Sequence, residues 1–121
     1  MNDARQLALR LWIEREFAHT GVLAVGGGAG AAAFPVYATG ELLAAQDDEV
    51  WRQVAVMIAG LRAKGAPVGE LLWGFEHAIL CTMHRDDGLW LGVFAAPQLS
   101  DEVAVALRAK LDAFKEQEFV Q

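Results

Sequence analysis

The stretch between Val68 and Ala96 restricts this chain more than any other. Two apolar runs, residues 78–83 and 89–95, are joined by Arg85-Asp86-Asp87-Gly88. Glycine accepts the left-handed backbone that a tight reversal needs, so the pair reads as a β-hairpin. An earlier apolar run at 70–75 leads into it, and a long amphipathic segment follows. In the last run Leu89, Leu91 and Val93 fall on one face, with Trp90 and Phe94 on the other. A strand that is apolar on both faces needs helical cover on both sides of its sheet.

Helices supply that cover. The first is predicted over 4–18, with Asp3 as N-cap, Gln6 at capping-box spacing and Gly21 as a stop. Its expected buried face carries Ala4, Leu7, Ala8 and Leu11, widened by Trp12. The second is predicted over 48–64, with acidic residues at its start and Gly65 and Pro67 beyond its end. Trp51, Val54, Ala55, Ile58 and Leu61 form its stripe, while Val50, Val56 and Met57 add apolar surface outside it. A helix apolar over more than one face needs more than one neighbour. The third is capped by Ser100 or Asp101 and extends to about residue 117, burying Val103, Leu107, Leu111 and Phe114.

Between the first two helices the pattern is weaker. Gly26-Gly27-Gly28 is expected to break the run that begins at Val22, because glycine loses the most backbone freedom on ordering. Either 22–25 or 31–37 is the first strand, with 31–37 favoured, and 42–45 is the second. Pro35 cannot donate to a ladder, so it marks an edge or a bulge. The predicted order is helix, strand, strand, helix, three strands, helix, in a single α/β domain over residues 1–121.

Composition narrows the function classes. A net charge of -6 disfavours binding to nucleic-acid phosphates or to anionic membranes. The uncharged run at 21–35 is glycine-rich and does not read as a membrane span, and the start lacks the pattern of a signal peptide. Cys81 is the only cysteine, which excludes a disulfide within the chain and fits a reducing cytoplasm. A hydrophobic content of 55% is high for a small body with much surface to keep wet; either a permanent partner surface or the many alanines, which cost little when exposed, accounts for it, the partner surface being favoured.

Catalytic signatures are sparse. The glycine run lacks the lysine and hydroxyl residue of a phosphate loop. His19, His77 and His84 have no metal-ligand spacing with Cys81. His84, Asp86 and Asp87 form at most a weak cation turn, and Ser100, the only serine, has a capping role. No catalytic residue, cofactor or metal is expected, and the chain reads as not an enzyme. The four tryptophans are core residues or interface anchors, with Trp51 and Trp73 the better anchors. If residues 70–75 form an edge, two copies can join there and satisfy each other's open backbone groups.

Residues 37–44 (YATGELLA), Gly69-Glu70-Leu71-Leu72, Ala78-Ile79-Leu80 and Leu89-Trp90-Leu91-Gly92-Val93-Phe94 resemble the hairpins and third strand of the roadblock and dynein light-chain family. The resemblance covers most of the chain and rests on fold patterns, not catalytic signatures. It implies a profilin-like three-layer sandwich, with a five-stranded antiparallel sheet between one helix and two others. It also implies dimerisation through the second helix and third strand, which makes Val50, Trp51, Val54, Met57, Ile58, Leu61, Leu71 and Trp73 the interface candidates. Relatives accompany small Ras-like GTPases or act as scaffolds. The expected function is therefore a cytoplasmic, non-catalytic homodimeric adaptor that binds a signalling protein such as a small GTPase. Two alternatives stand beside it: a small-ligand sensor with Phe75, Met83, Trp90 and Phe94 around a cavity, and an enzyme using His77 or His84 with a carboxylate.

Overall fold

The glycine run is a strand, not a break. The computed structural model describes residues 3–17, 21–30, 32–38, 48–65, 69–75 and 78–119. Its elements are α1 (Asp3–Phe17), β1 (Ala24–Ala29), β2 (Ala32–Ala38), α2 (Asp48–Ala63), β3 (Gly69–Gly74), β4 (Ile79–His84), β5 (Leu89–Ala95) and α3 (Asp101–Glu116). The five strands form one sheet in the order β2-β1-β5-β4-β3. Every neighbouring pair is antiparallel. The first strand is therefore the one that runs through the glycines, and the favoured 31–37 is the second strand; the predicted strand at 42–45 lies outside the described residues.

The reason for the glycines lies on α2. Gly26 of β1 and Gly92 of β5 are register partners. A Cβ on Gly26 would come within 2.5 Å of Cδ2 of Trp51, and one on Gly92 within 2.9 Å of its Cζ3. The Trp51 indole thus lies directly on a glycine floor, fully buried. Close packing of a large aromatic outweighs the weak strand preference of glycine, because propensity yields to tertiary context.

Two cores result, one on each face of the sheet. Leu9, Trp12, Ile13 and Phe17 of α1 and Leu107, Leu111 and Phe114 of α3 pack against Val25, Cys81, Met83, Leu89, Leu91 and Val93. On the other face Trp51, Val54, Ala55 and Ile58 of α2 pack against Ala24, Leu80, Trp90 and Phe94. The alternation predicted for β5 is the one observed. The α1 prediction has the wrong phase: Leu9, Trp12, Ile13 and Phe17 point inward, while Leu7 and Leu11 are exposed. Apolar residues surround that helix too evenly for periodicity to select a face.

The acidic turn is a structural clamp. Gly88 has φ 93° and donates its N–H to the Arg85 carbonyl at 3.2 Å. Asp87 accepts from the Leu89 N–H at 3.1 Å and from Arg85 at 2.6 Å, and pairs with Arg5 at 2.9 Å. Burial pushes the Asp87 carboxyl up, but the Leu89 N–H and the Arg85 guanidinium outweigh it and hold its pKa below the ordinary value. Arg85 also donates to the carbonyls of Phe114 at 2.8 Å and Gln117 at 2.6 Å, and lies over the rings of Phe114 and Phe119. It therefore caps the negative end of α3. From the other layer, Arg62 of α2 donates to the carbonyls of Arg85 and Asp86. The Asp87 carboxylate, at most part of a weak cation turn in the sequence, is thus met by the protein's own cations. Ser100 accepts from the Val103 N–H at 3.2 Å and is the N-cap of α3, as expected. No helix among the described residues is long and apolar enough to cross a membrane.

Candidate protein-interaction surface

The eight expected interface residues divide by burial. Trp51, Val54 and Ile58 are 0%, 3% and 2% exposed and belong to the core of their own subunit. That corrects the expectation of Trp51 as a surface anchor: one apolar stripe serves a private core or a partner equally well in sequence. Val50, Leu61, Leu71 and Trp73 are half-buried, and Val50 and Trp73 pack against the α2-side core. Met57 is 37% exposed.

The outward face of α2 carries the residues that fell outside the stripe. Val56 is 72% exposed and adjoins Met57, with Gly60 one turn further on. A Cβ on Gly60 would meet nothing within 4 Å. Glycine in a helix interior costs about 1 kcal/mol relative to alanine. The packing of this subunit gives no return for that cost at Gly60, whereas a backbone approaching from outside would.

β3 is the outermost strand on its side of the sheet. Its partners across the ladder fix its faces: Trp73 lies opposite Leu80 on the α2 side, and Leu72 opposite Cys81 on the α3 side. Leu72 is 67% exposed and Phe75, just beyond the strand, is 54% exposed. The interface expectation does not include Val56 or Leu72, and it places Phe75 in a cavity, not on a surface. The signal for Val56 was its position off the stripe. For Leu72 there is no such signal, because Leu71-Leu72-Trp73 is apolar throughout.

A groove of about 310 Å³ lies between β3 and α3, lined chiefly by Leu72, Cys81, Leu99, Ala104, Leu107 and Leu111. At its rim Arg108 bridges Glu70 at 2.6 Å and Asp112 at 2.9 Å. Those carboxylates keep the guanidinium charged, with its pKa pushed above the ordinary value. Burial, and then the charge of Glu70, raise the Cys81 thiol above its ordinary value, so the thiolate needed for nucleophilic or metal chemistry is disfavoured.

The other candidates for chemistry are separated. Among the described residues no group of three or more histidine, cysteine or acidic side chains is placed to hold a metal ion. His84 is 1% exposed, with its ring against Gly69, while His19 and His77 lie outside the described residues. The four residues proposed around a ligand cavity do not share one. Met83 belongs to the α1/α3 core, Trp90 and Phe94 to the α2 core, and Phe75 is exposed. A scan against protein-family models finds no match, and a search of curated proteins finds no relative.

Proposed function

We propose that the chain is a non-catalytic homodimeric adaptor or regulator of the roadblock and dynein light-chain type. Two copies join along β3, and the pair presents a composite surface to a protein partner, a small Ras-like GTPase being the first candidate. One observation carries the reading: among the described residues β3 is an edge strand with no neighbour on its outer side, and it displays an exposed leucine, Leu72. An apolar edge with no proline or bulge is a template for another strand.

The arrangement of layers supports the family reading, because one helix covers one face of a five-stranded antiparallel sheet and two cover the other. A twofold axis normal to the sheet sets both α2 helices on the same face of the joined sheet. Their outward strips of Val56, Met57 and Gly60 then form the surface on offer. A partner that binds it in one conformation better than another has its equilibrium shifted, with no chemistry supplied by this chain.

Light scattering at high micromolar concentration tests the first step. The expected mass is that of a dimer, and a strict monomer overturns the proposal. Capture of a small GTPase by the wild type but not by Val56→Glu tests the second. Val56 serves here because Trp51→Asp would unfold the subunit that it was meant to probe.

A further inference from the structure

We infer the register of self-association: a second copy pairs along β3 with its Leu72 directly opposite Leu72, and thereby closes the open side of the β3–α3 groove. This rests on the self-associating reading above and adds to it which atoms meet.

The hydrogen-bond pattern of β3 limits the choices. Backbone groups in an antiparallel strand point alternately to one neighbour and to the other. The Phe75 N–H donates to the Ala78 carbonyl at 2.8 Å, in phase with the ladder that pairs Trp73 with Leu80 and Leu71 with Thr82. Leu71, Trp73 and Phe75 therefore turn their amides and carbonyls toward β4. Glu70, Leu72 and Gly74 turn theirs to the free edge.

A twofold pairing has to join outward groups to outward groups. Setting Leu72 against itself also sets Glu70 against Gly74, so each outward amide and carbonyl from Glu70 to Gly74 finds a partner. Setting Glu70 against Leu72 gives Gly74 no partner among the described residues, and setting Leu72 against Gly74 gives Glu70 none. Setting Glu70 against itself opposes two like charges.

Side chains suit the same register. On the α3 side Leu72 meets Leu72, and each carboxylate of Glu70 lies beside a glycine, where it keeps its bridge to Arg108. On the α2 side Leu71 meets Trp73 of the second copy. The competing arrangement that pairs Glu70 with Leu72 presses a carboxylate on an apolar side chain and leaves Trp73 facing Gly69. Leu72 already lines the groove beside α3. Leu72 of the second copy lies next to it and supplies the wall that the single subunit lacks.

Cysteine cross-linking reads the register. Cys81 is first replaced by alanine, because it lies across from residue 72 within the subunit and would capture a new thiol there. In a hydrogen-bonded antiparallel pair the Cα atoms are ~5.5 Å apart, inside the range a disulfide spans. Under mild oxidation Leu72→Cys is expected to give a covalent dimer and Leu71→Cys to remain monomeric on a non-reducing denaturing gel. A covalent dimer from Leu71→Cys, or from neither variant, in protein that scatters as a dimer overturns the register and leaves self-association standing. A monomeric Cys81→Ala protein with monomeric wild type overturns both. If Cys81→Ala does not fold, Leu72→Glu in the wild-type background replaces it. Like charges then face each other on the axis, and the dimer Kd is expected to rise about 10-fold, while mixing Leu72→Glu with Leu72→Lys sets opposite charges against each other there and restores association. A mixture that associates no more tightly than either variant alone contradicts the register.

Discussion

The two edges of the sheet are built differently. β2 carries Pro35, and its register with β1 shifts between Val25 and Gly26. Proline removes a donor and the irregularity bends the strand, so this edge resists another chain. β3 reads Gly-Glu-Leu-Leu-Trp-Gly, has no proline and pairs with β4 in unbroken register. One edge is protected, and the other, among the described residues, is left open with Leu72 exposed. Since an unprotected edge is a hazard, its retention beside a protected one points to use.

The largest expected effect tests the frame that both edges share. Trp51→Ala removes the indole from its glycine floor, where no neighbouring Cβ can fill the space, and is expected to cost about 3–5 kcal/mol in denaturant unfolding. A loss under 1 kcal/mol would mean that the glycines serve something else.

Next, Leu72→Pro copies the β2 device onto β3. The N–H that it removes points to the free edge, so the β4 ladder survives. Self-association is expected to vanish in sedimentation while the circular dichroism spectrum stays native. Dimers that persist would place the contact elsewhere, for instance on α2 alone.

Acid offers a smaller, independent lever. Glu16 is held below its ordinary pKa by its hydrogen bond to Lys110, and Asp87 by the clamp at the β4–β5 turn. Both depressed carboxyls contribute stability that is complete above their unfolded values, near 4.5 for Glu16 and 3.8 for Asp87, and that fades as pH falls through the lower folded ones. Thermal unfolding of Asp87→Asn is therefore expected to match wild type most closely at the acid end and to fall behind it toward neutral pH. A constant gap at all pH values would deny the clamp its electrostatic part.

The smallest effect separates subunit from assembly. Gly60→Ala is expected to stabilise the isolated fold by about 0.5–1 kcal/mol, since nothing lies where the methyl goes. Weaker partner capture by the same variant would show that a close approach uses that site. Unchanged capture would make Gly60 incidental.

Sequence reasoning found what local chemistry dictates. The β4–β5 hairpin, the α3 cap and the ends of α2 follow from turn glycines, a serine and acidic residues whose effects act within a few positions. Pro35 was legible as an edge or bulge for the same reason. The strand through Gly26, Gly27 and Gly28 was not, because its cause is Trp51, distant in sequence and adjacent only after folding. The candidate site was half legible. Met57 was named, but Trp51, Val54 and Ile58 were placed with it because a stripe does not say whose core it fills. Leu72 escaped because its neighbours Leu71 and Trp73 hide the alternation that turns it outward.

Amide hydrogen exchange along the two edges tests the central claim most directly. At high micromolar concentration the outward amides of Glu70, Leu72 and Gly74 should exchange slowly and speed up on dilution, while those on the outer side of β2 exchange quickly throughout. Fast exchange at Glu70, Leu72 and Gly74 at every concentration would contradict it.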